Sequence, residues 1–230
     1  MSVEEIRSKL ASIKKNIKKA CAVSGRSPEE VRINVITRGR TVPEIRELVE
    51  AGCRLFGENR VQEGVQKISF FDPDIEWHLV GHLQSVKAKV AIQSFALIHT
   101  VDSLRIGFDL QRACEKLGQD AHILIHVNTT DVETTFGVLP SETIPLIKEL
   151  VKFPQVHIRG LMVEAPQVDD PESVRPCFRR LRELRDKIRE TAIEGVEMKL
   201  LSMGTSQDYT VAVEEGSNLI RITSPIFEED

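Results

Sequence analysis

Hydrophobic and polar positions along this chain follow two periods in turn. From Val3 to Ala22 the apolar residues Val3, Ile6, Leu10, Ile13, Ile17 and Ala20 recur every three or four positions among lysines. That spacing predicts an amphipathic helix laid against a larger body. After Ser27-Pro28-Glu29-Glu30, read as a helical turn, short β-rich runs alternate with helix-patterned stretches. The β-rich runs are 32–37, 54–57, 76–81, 97–101, 122–128, 157–163, 198–203 and 219–222. Helical patterns fall between them at 42–51, 61–68, 85–92, 103–117, 141–151, 171–192 and 207–215. Several open on a cap-forming residue: Asp102 or Ser103, Ser141 with Glu142, and Asp170 before Pro171.

Connections this short force successive strands to pair in parallel through a crossover helix. Eight such units predict an α/β fold, a closed (β/α)8 TIM-type barrel with an additional N-terminal helix. An open doubly wound sheet has the same periodicity and stands as the alternative. No long Gly/Ser-rich or Pro-rich linker divides the chain, so residues 1–230 are read as a single domain.

Composition narrows the partners. Hydrophobic residues make up 41% and charged residues 29%, as in an ordinary soluble protein with a packed core. A formal net charge of −4 gives no global basic field for nucleic acid. The cluster Arg175, Arg179, Arg180, Arg182, Arg185 is interleaved with acids and reads as a solvated helix face. Cys21, Cys53, Cys114 and Cys177 form no CxxC or Cys/His ligand pair and are expected to be free thiols. Acids stand near the N-terminus where a signal peptide carries basic residues, and no apolar run reaches membrane-spanning length. A cytoplasmic protein without membrane partners is expected.

In such a barrel the working face is built from the C-terminal ends of the strands and the loops after them. Arg38 and Arg40 follow the first predicted strand, and Glu58 and Asn59 end the second. His78 and His82 lie on the third, Asn128 on the fifth, and Met162 and Glu164 on the sixth. Ser202, Thr205 and Ser206 follow on the seventh, with Arg221, Thr223 and Ser224 on the eighth. The hydroxyls and glycine of Ser202-Met203-Gly204-Thr205-Ser206, before a helix that opens at Gln207, have the chemistry of a phosphate cradle. Plain turn chemistry, with Ser206 as the helix N-cap, is the competing reading. His78 and His82 sit four apart on a strand and its exit, so they are not a helical zinc pair, and a satisfied histidine beside the pocket wall is expected. Glu58 and Glu164 are candidates for a carboxylate pair across the mouth, or for ion pairs with Arg38.

Several stretches, in order and at matching spacing, resemble the pyridoxal phosphate homeostasis family along nearly its whole length. They are Phe56-Gly57-Glu58-Asn59 with Val61-Gln62-Glu63, and Trp77-His78-Leu79-Val80-Gly81 with Leu83-Gln84-Ser85 and Lys87. His99-Thr100-Val101-Asp102, Val127-Asn128 and Arg159-Gly160-Leu161-Met162 continue the pattern. Leu201-Ser202-Met203-Gly204 with Ser206, Asp208 and Arg221-Ile222 close it. The resemblance implies a barrel like the N-terminal domain of alanine racemase, in the cytoplasm. It also implies a non-catalytic role in binding and buffering pyridoxal 5'-phosphate, affecting vitamin B6 balance. By that resemblance Arg221 approaches the pyridine nitrogen, the phosphate cup falls on Thr205, Ser206, Thr223 and Ser224, and Asn59 takes the family's asparagine position. His78, Met162 and Ser202 complete the expected cofactor-binding set.

The departures fall in the same pocket. The family's cofactor lysine corresponds to Arg38, and arginine, with a pKa above about 12, is no Schiff-base nucleophile. Covalent attachment is therefore not expected. Thr223 stands where the family has glycine, and Thr135 with Phe136 stands where it has a lysine before Gly137. Glu164 adds negative charge near an anionic ligand.

The favoured reading is a divergent, non-catalytic binder of pyridoxal phosphate or another small phosphorylated anion, as a monomer or weak homodimer. Arg38 and Arg40 suit such an anion through forked hydrogen bonds. A racemase-like enzyme is the alternative and requires a pocket lysine, for which Lys87, Lys89 and Lys199 are the candidates. A barrel enzyme of unrelated acid/base chemistry, using Glu58, His78 or Glu164, is the third reading.

Overall fold

The computed structural model describes residues 2–130 and 136–227. Helix α1 (Val3–Ser24) opens on a reciprocal cap in which Ser2 and Glu5 each bond the other's backbone N–H. Gly25 ends it in the left-handed conformation, φ +66°. Ile6, Leu10, Ile13, Ile17 and Ala20 are buried as the spacing predicts. The helix packs beside the last strand–helix units: Asn16 donates to the Tyr209 hydroxyl at 3.0 Å, and Arg26 beyond its end donates to the Val213 and Ser217 carbonyls.

Strands β1 (Arg32–Ile36), β2 (Leu55–Glu58), β3 (Glu76–Leu79), β4 (Leu97–Val101), β5 (Ala121–His126), β6 (Val156–Met162), β7 (Leu200–Ser202) and β8 (Leu219–Ile222) form a closed barrel in sequence order. All adjacent pairs are parallel, and β8 returns to β1 from Arg32 opposite Leu219 to Val35 opposite Ile222. Helices α2 (Val42–Glu50), α3 (Val61–Ile68), α4 (Ala88–Ser94), α5 (Leu104–Leu117), α6 (Pro140–Leu150), α7 (Arg175–Glu190) and α8 (Tyr209–Glu214) form the connections, and α9 (Ser224–Phe227) follows β8. No described helix is long and apolar enough to cross a membrane.

Local chemistry moves some boundaries from those expected. β7 is shorter than the run 198–203 because Asn218 takes over its edge: the side chain accepts from Leu201 N and donates to the Lys199 carbonyl. Helix α6 begins at Pro140, not Ser141, since proline's fixed φ and missing N–H suit the first helical position. The arginines of α7 are not simply solvated: Arg175, Arg179 and Arg182 converge on the buried Glu215 carboxylate. All four cysteines are buried and free.

Side chains alternate across each strand, so the barrel has two apolar zones. Phe56, Leu79, Ile98, Ile123 and Leu161 face outward to the helices, in the main core. Leu55, Leu97, Leu124, Met162 and Leu219 form a smaller cluster inside the barrel. One step toward the C-terminal mouth the interior turns polar, with Asn34, His78, His99, His126, Ser202 and Arg221 all buried. Two positions allow this. Gly57 leaves room for Asn34 to pass from β1 toward β3, since a Cβ there would lie 2.7 Å from Asn34 Oδ1. Gly81 lets the chain after β3 run against Asn59, whose carbonyl oxygen lies only 1.9 Å from the place of a Cβ.

Candidate functional site

The residues expected at the site separate into a mouth and an interior layer. Arg221 lies where they meet, 5% exposed. One of its terminal nitrogens donates to the Ser202 carbonyl at 2.9 Å and hydroxyl at 2.7 Å, and the other donates to the Val163 carbonyl at 2.8 Å. Burial pulls its pKa down, and the charges of Glu164 and Asp208 oppose that. The side chain is locked by the strands around it.

Below it, Ser202 contacts His99 Nδ1 at 3.1 Å, and His99 Nε2 meets His78 Nδ1 at 3.0 Å. His78 Nε2 bonds Glu76 at 2.7 Å, and Asn34 approaches His78 Nδ1 at 3.4 Å. Both nitrogens of His78 are thus occupied within the protein. It is a satisfied interior histidine, set behind Ser202 and His99 rather than in the pocket wall. Met162 lies deeper, against Leu55, Leu97 and Leu124.

At the mouth, Thr205, Ser206 and Thr223 line a cavity of about 330 Å³ with Glu164, Asp208 and Val168. Ser206 does not cap the following helix. Its hydroxyl accepts from Thr223 N at 2.9 Å and ties the β7 exit to the β8 exit. Asp208, buried, accepts from Thr205 N at 2.5 Å and from the Thr205 hydroxyl at 3.0 Å, so α8 starts at Tyr209 rather than Gln207. The expected changes at Asp131, Val132, Glu133, Thr134 and Thr135 lie outside the described residues, as does the Ser224 side chain. Phe136 is exposed and stacks on His82, ring centroids 5.0 Å apart.

Arg38 is exposed on the turn after β1 and forms no ion pair or hydrogen bond among the described residues. Arg40 is engaged elsewhere, pairing with Glu44 and lying 4.1 Å over the Phe227 ring. Asn59, half-buried, follows β2 at the same face. The carboxylate pair of Glu58 and Glu164 does not form. Glu58 is buried and held by Lys67 at 2.7 Å and the Thr37 hydroxyl at 2.5 Å, whereas Glu164 is exposed. Neither pairs with Arg38.

Two residues here went unread in the sequence. Lys67 on α3 is buried, and its amine donates to Glu58, to Glu63 and to the Thr37 carbonyl, each at 2.7 Å. Its i, i+4 spacing to Glu63 was a visible signal. Lys87 is half-buried and Lys89 and Lys199 are exposed, so none of the lysines weighed from sequence is enclosed. His126, at the end of β5, is 2% exposed, and neither ring nitrogen has a partner among the described residues. Burial first, then the charges of Arg221 and His82, lowers its pKa to about 4, which leaves a neutral imidazole near the mouth. No described cluster of three or more His, Cys, Asp or Glu residues is placed to hold a metal ion.

What this arrangement offers is a small anionic ring ligand's complement. The Ser206 and Thr223 hydroxyls at the β7 and β8 exits suit a phosphate, whereas the Thr205 amide and hydroxyl and the Thr223 amide are engaged within the protein. Arg221 offers a fixed cation, and His126 has unmet hydrogen-bonding capacity among the described residues. What it lacks at the first strand is a nucleophilic amine.

Comparison with known proteins agrees with the fold. The family profile "Alanine racemase, N-terminal domain" matches residues 8–222. The chain is 37% identical over 224 residues, 96% of each chain, to the pyridoxal phosphate homeostasis protein of Aquifex aeolicus. It is 34% identical over 232 residues to that of Escherichia coli, covering 98% of this chain and 97% of the relative. Among solved structures, PipY of Synechococcus elongatus without pyridoxal phosphate superposes with a TM-score of 0.86 at 32% identity, covering 97% of this chain and all of PipY. PipY with pyridoxal phosphate bound superposes at 0.84. Alanine racemase of Clostridium difficile shares the fold, at 16% identity and a TM-score of 0.79. The chain belongs to the alanine racemase N-terminal domain family, among the pyridoxal phosphate homeostasis proteins.

Proposed function

We propose that this chain binds pyridoxal 5'-phosphate, or a closely related phosphorylated ring, reversibly and without a covalent bond, and that it serves as a carrier and buffer rather than an enzyme. The observation that carries the reading is Arg38. The turn after β1 presents an exposed guanidinium where a lysine would attack the ligand's aldehyde. The buried Lys67 nearby does not replace it, since an amine donating three hydrogen bonds has no lone pair to offer a carbonyl. In this reading Ser206, Thr223 and Ser224 take the phosphate, Thr205 borders it with its amide and hydroxyl held by Asp208, and Arg221 and His126 take the ring. Asn59 and Arg38 border it, and His78, Ser202 and Met162 support from the interior. Bound pyridoxal phosphate supplies an aldehyde and an electron-poor ring. Arg221 places a cation, not a carboxylate, beside that ring, which disfavours protonation of the pyridine nitrogen and so the electron withdrawal that racemisation needs. Glu164, on the same cavity as Thr205, Ser206 and Thr223, adds negative charge near the phosphate and weakens binding relative to a lysine-bearing site.

A single domain of 230 residues acting as a monomer or weak homodimer, in the cytoplasm, is part of the same proposal. Titration with pyridoxal phosphate, followed by dialysis and borohydride, tests it. Saturable binding that is fully removed by dialysis is expected. Borohydride-stable label on any lysine overturns it.

A further inference from the structure

The mouth is tied to the opposite face of the barrel by one continuous line of hydrogen bonds. It runs from Arg221 to Ser202 (2.7 Å), to His99 (3.1 Å), to His78 (3.0 Å) and to Glu76 (2.7 Å). Four of these residues are buried inside the barrel, on β8, β7, β4 and β3. Glu76, at the start of β3, is part-exposed at the N-terminal face, where Arg32 at the start of β1 grips both its oxygens, at 3.3 and 2.5 Å.

The donors in this line have only one consistent direction. An ionised carboxylate only accepts, so His78 must carry its hydrogen on Nε2. A neutral His78 then accepts at Nδ1, which requires a hydrogen on His99 Nε2. A neutral His99 in turn accepts at Nδ1 from the Ser202 hydroxyl. The Ser202 oxygen is left with its lone pairs toward Arg221, which can only donate. The other end does not impose this order, since Arg221 bonds Ser202 whichever way the serine hydrogen points. The carboxylate does.

We propose that Glu76 is a positioning residue for the ligand site: through the tautomers of His78 and His99 it fixes the Ser202 hydroxyl as a donor to His99 and so keeps the serine lone pairs toward Arg221, beside the two carbonyls that hold that guanidinium. Its surroundings fit that task. Burial holds both histidines below the ordinary imidazole range, hence neutral, and the bond from His78, followed by Arg32, holds the Glu76 carboxyl down to about 2, hence ionised. Asn34 Nδ2 adds a second donor to His78 Nδ1 at 3.4 Å, which further disfavours a hydrogen there. The effect on a ligand rests on the reading of the mouth given above; the order of the hydrogen bonds does not.

The test uses the full chain with 15N-labelled histidine, read by NMR, together with titration by pyridoxamine 5'-phosphate, which has no aldehyde. The unaltered protein should show His78 and His99 each as a single neutral Nε2–H tautomer. Glu76→Gln keeps the shape but offers an amide able to donate or accept. It should bring out a second tautomer at His99, two residues along the line, and lower pyridoxamine phosphate affinity by about three- to tenfold. Arg32→Ala removes the grip on Glu76 but leaves the carboxylate, and should keep the single tautomers. An Nδ1–H tautomer of His99 in the unaltered protein overturns the proposal, as does an unchanged His99 spectrum in both Glu76→Gln and Glu76→Leu. If the unaltered protein shows the expected tautomers but binds neither pyridoxal nor pyridoxamine phosphate, the reading of the mouth fails and the relay stands.

Discussion

Lys67 reaches from α3 under the turn after β1 and places its amine 2.7 Å from the Glu58 carboxylate. Glu63, bound to the same amine, also accepts from Gly39 N at 2.7 Å. The turn that presents Arg38 is thereby held from below. Lys67 and Glu58 are both buried, and desolvation raises the Glu58 pKa against the pull of Lys67 and Thr37. Removing one partner strands the other. Lys67→Met should cost about 3–5 kcal/mol of stability, the usual penalty for leaving a buried charge uncompensated. Urea unfolding at neutral pH measures it, and a loss under about 1 kcal/mol would show that water reaches Glu58.

Because Arg38 has no ion pair or hydrogen bond among the described residues, replacing it tests the site around it rather than a contact. Arg38→Lys should gain a visible absorbance band with pyridoxal phosphate and a borohydride-trapped label at position 38 if the phosphate and ring contacts are intact. In the unaltered chain, pyridoxal and pyridoxamine phosphate should bind within about threefold of each other, since no covalent bond distinguishes them. Tighter binding of the aldehyde by a hundredfold or more points instead to a lysine adduct.

Ser206 joins the β7 exit to the β8 exit through Thr223 N. Its alanine variant loses that tie and a donor for the ligand's phosphate together. Ser206→Ala should weaken pyridoxamine phosphate binding by about ten- to a hundredfold, the range of one hydrogen bond to a charged group. Its melting temperature should move little, because the hydroxyl is half-exposed. Isothermal titration gives the affinity and calorimetry the stability. Unchanged affinity removes Ser206 from the phosphate cup.

Much of the barrel was legible because its strands and helices differ in hydrophobic period, so β4 and β8 fall at the residues expected for them. Boundaries set by single side chains were not. Asn218 shortening β7 and Asp208 delaying α8 are contacts between segments that periodicity does not relate. The site divides in the same way. Arg221 and the hydroxyls of the seventh and eighth exits carry motif spacing, so their neighbourhood was readable. Lys67 and His126 were missed because each lies within an ordinary amphipathic or β-rich run, and only closure of the barrel shows which way it points. His78 was legible as a satisfied histidine; one partner, Glu76, lies two residues earlier on β3, but Asn34 and His99 come from β1 and β4, and nothing in the local sequence names them.

His126 makes burial measurable by pH. Folded, it ionises near pH 4; unfolded, near 6.5. The unfolded chain therefore takes up the proton first, so the stability from keeping this imidazole neutral is fully present above pH 6.5 and is lost as pH falls toward 4. Between about pH 7.5 and 5 the loss from this one group should be about 2 kcal/mol. His99, also lowered by burial, adds a loss of the same sign, whereas Glu76, lowered to about 2, contributes its loss mainly below the ordinary carboxylate range near 4.5. Glutamine at 126 keeps a polar side chain that does not titrate. His126→Gln should therefore lose about 2 kcal/mol less than the unaltered protein when urea unfolding is compared at the two pH values. Equal losses in both proteins would mean that His126 is hydrated in the folded state, and that its two unpartnered nitrogens are not waiting for a ligand.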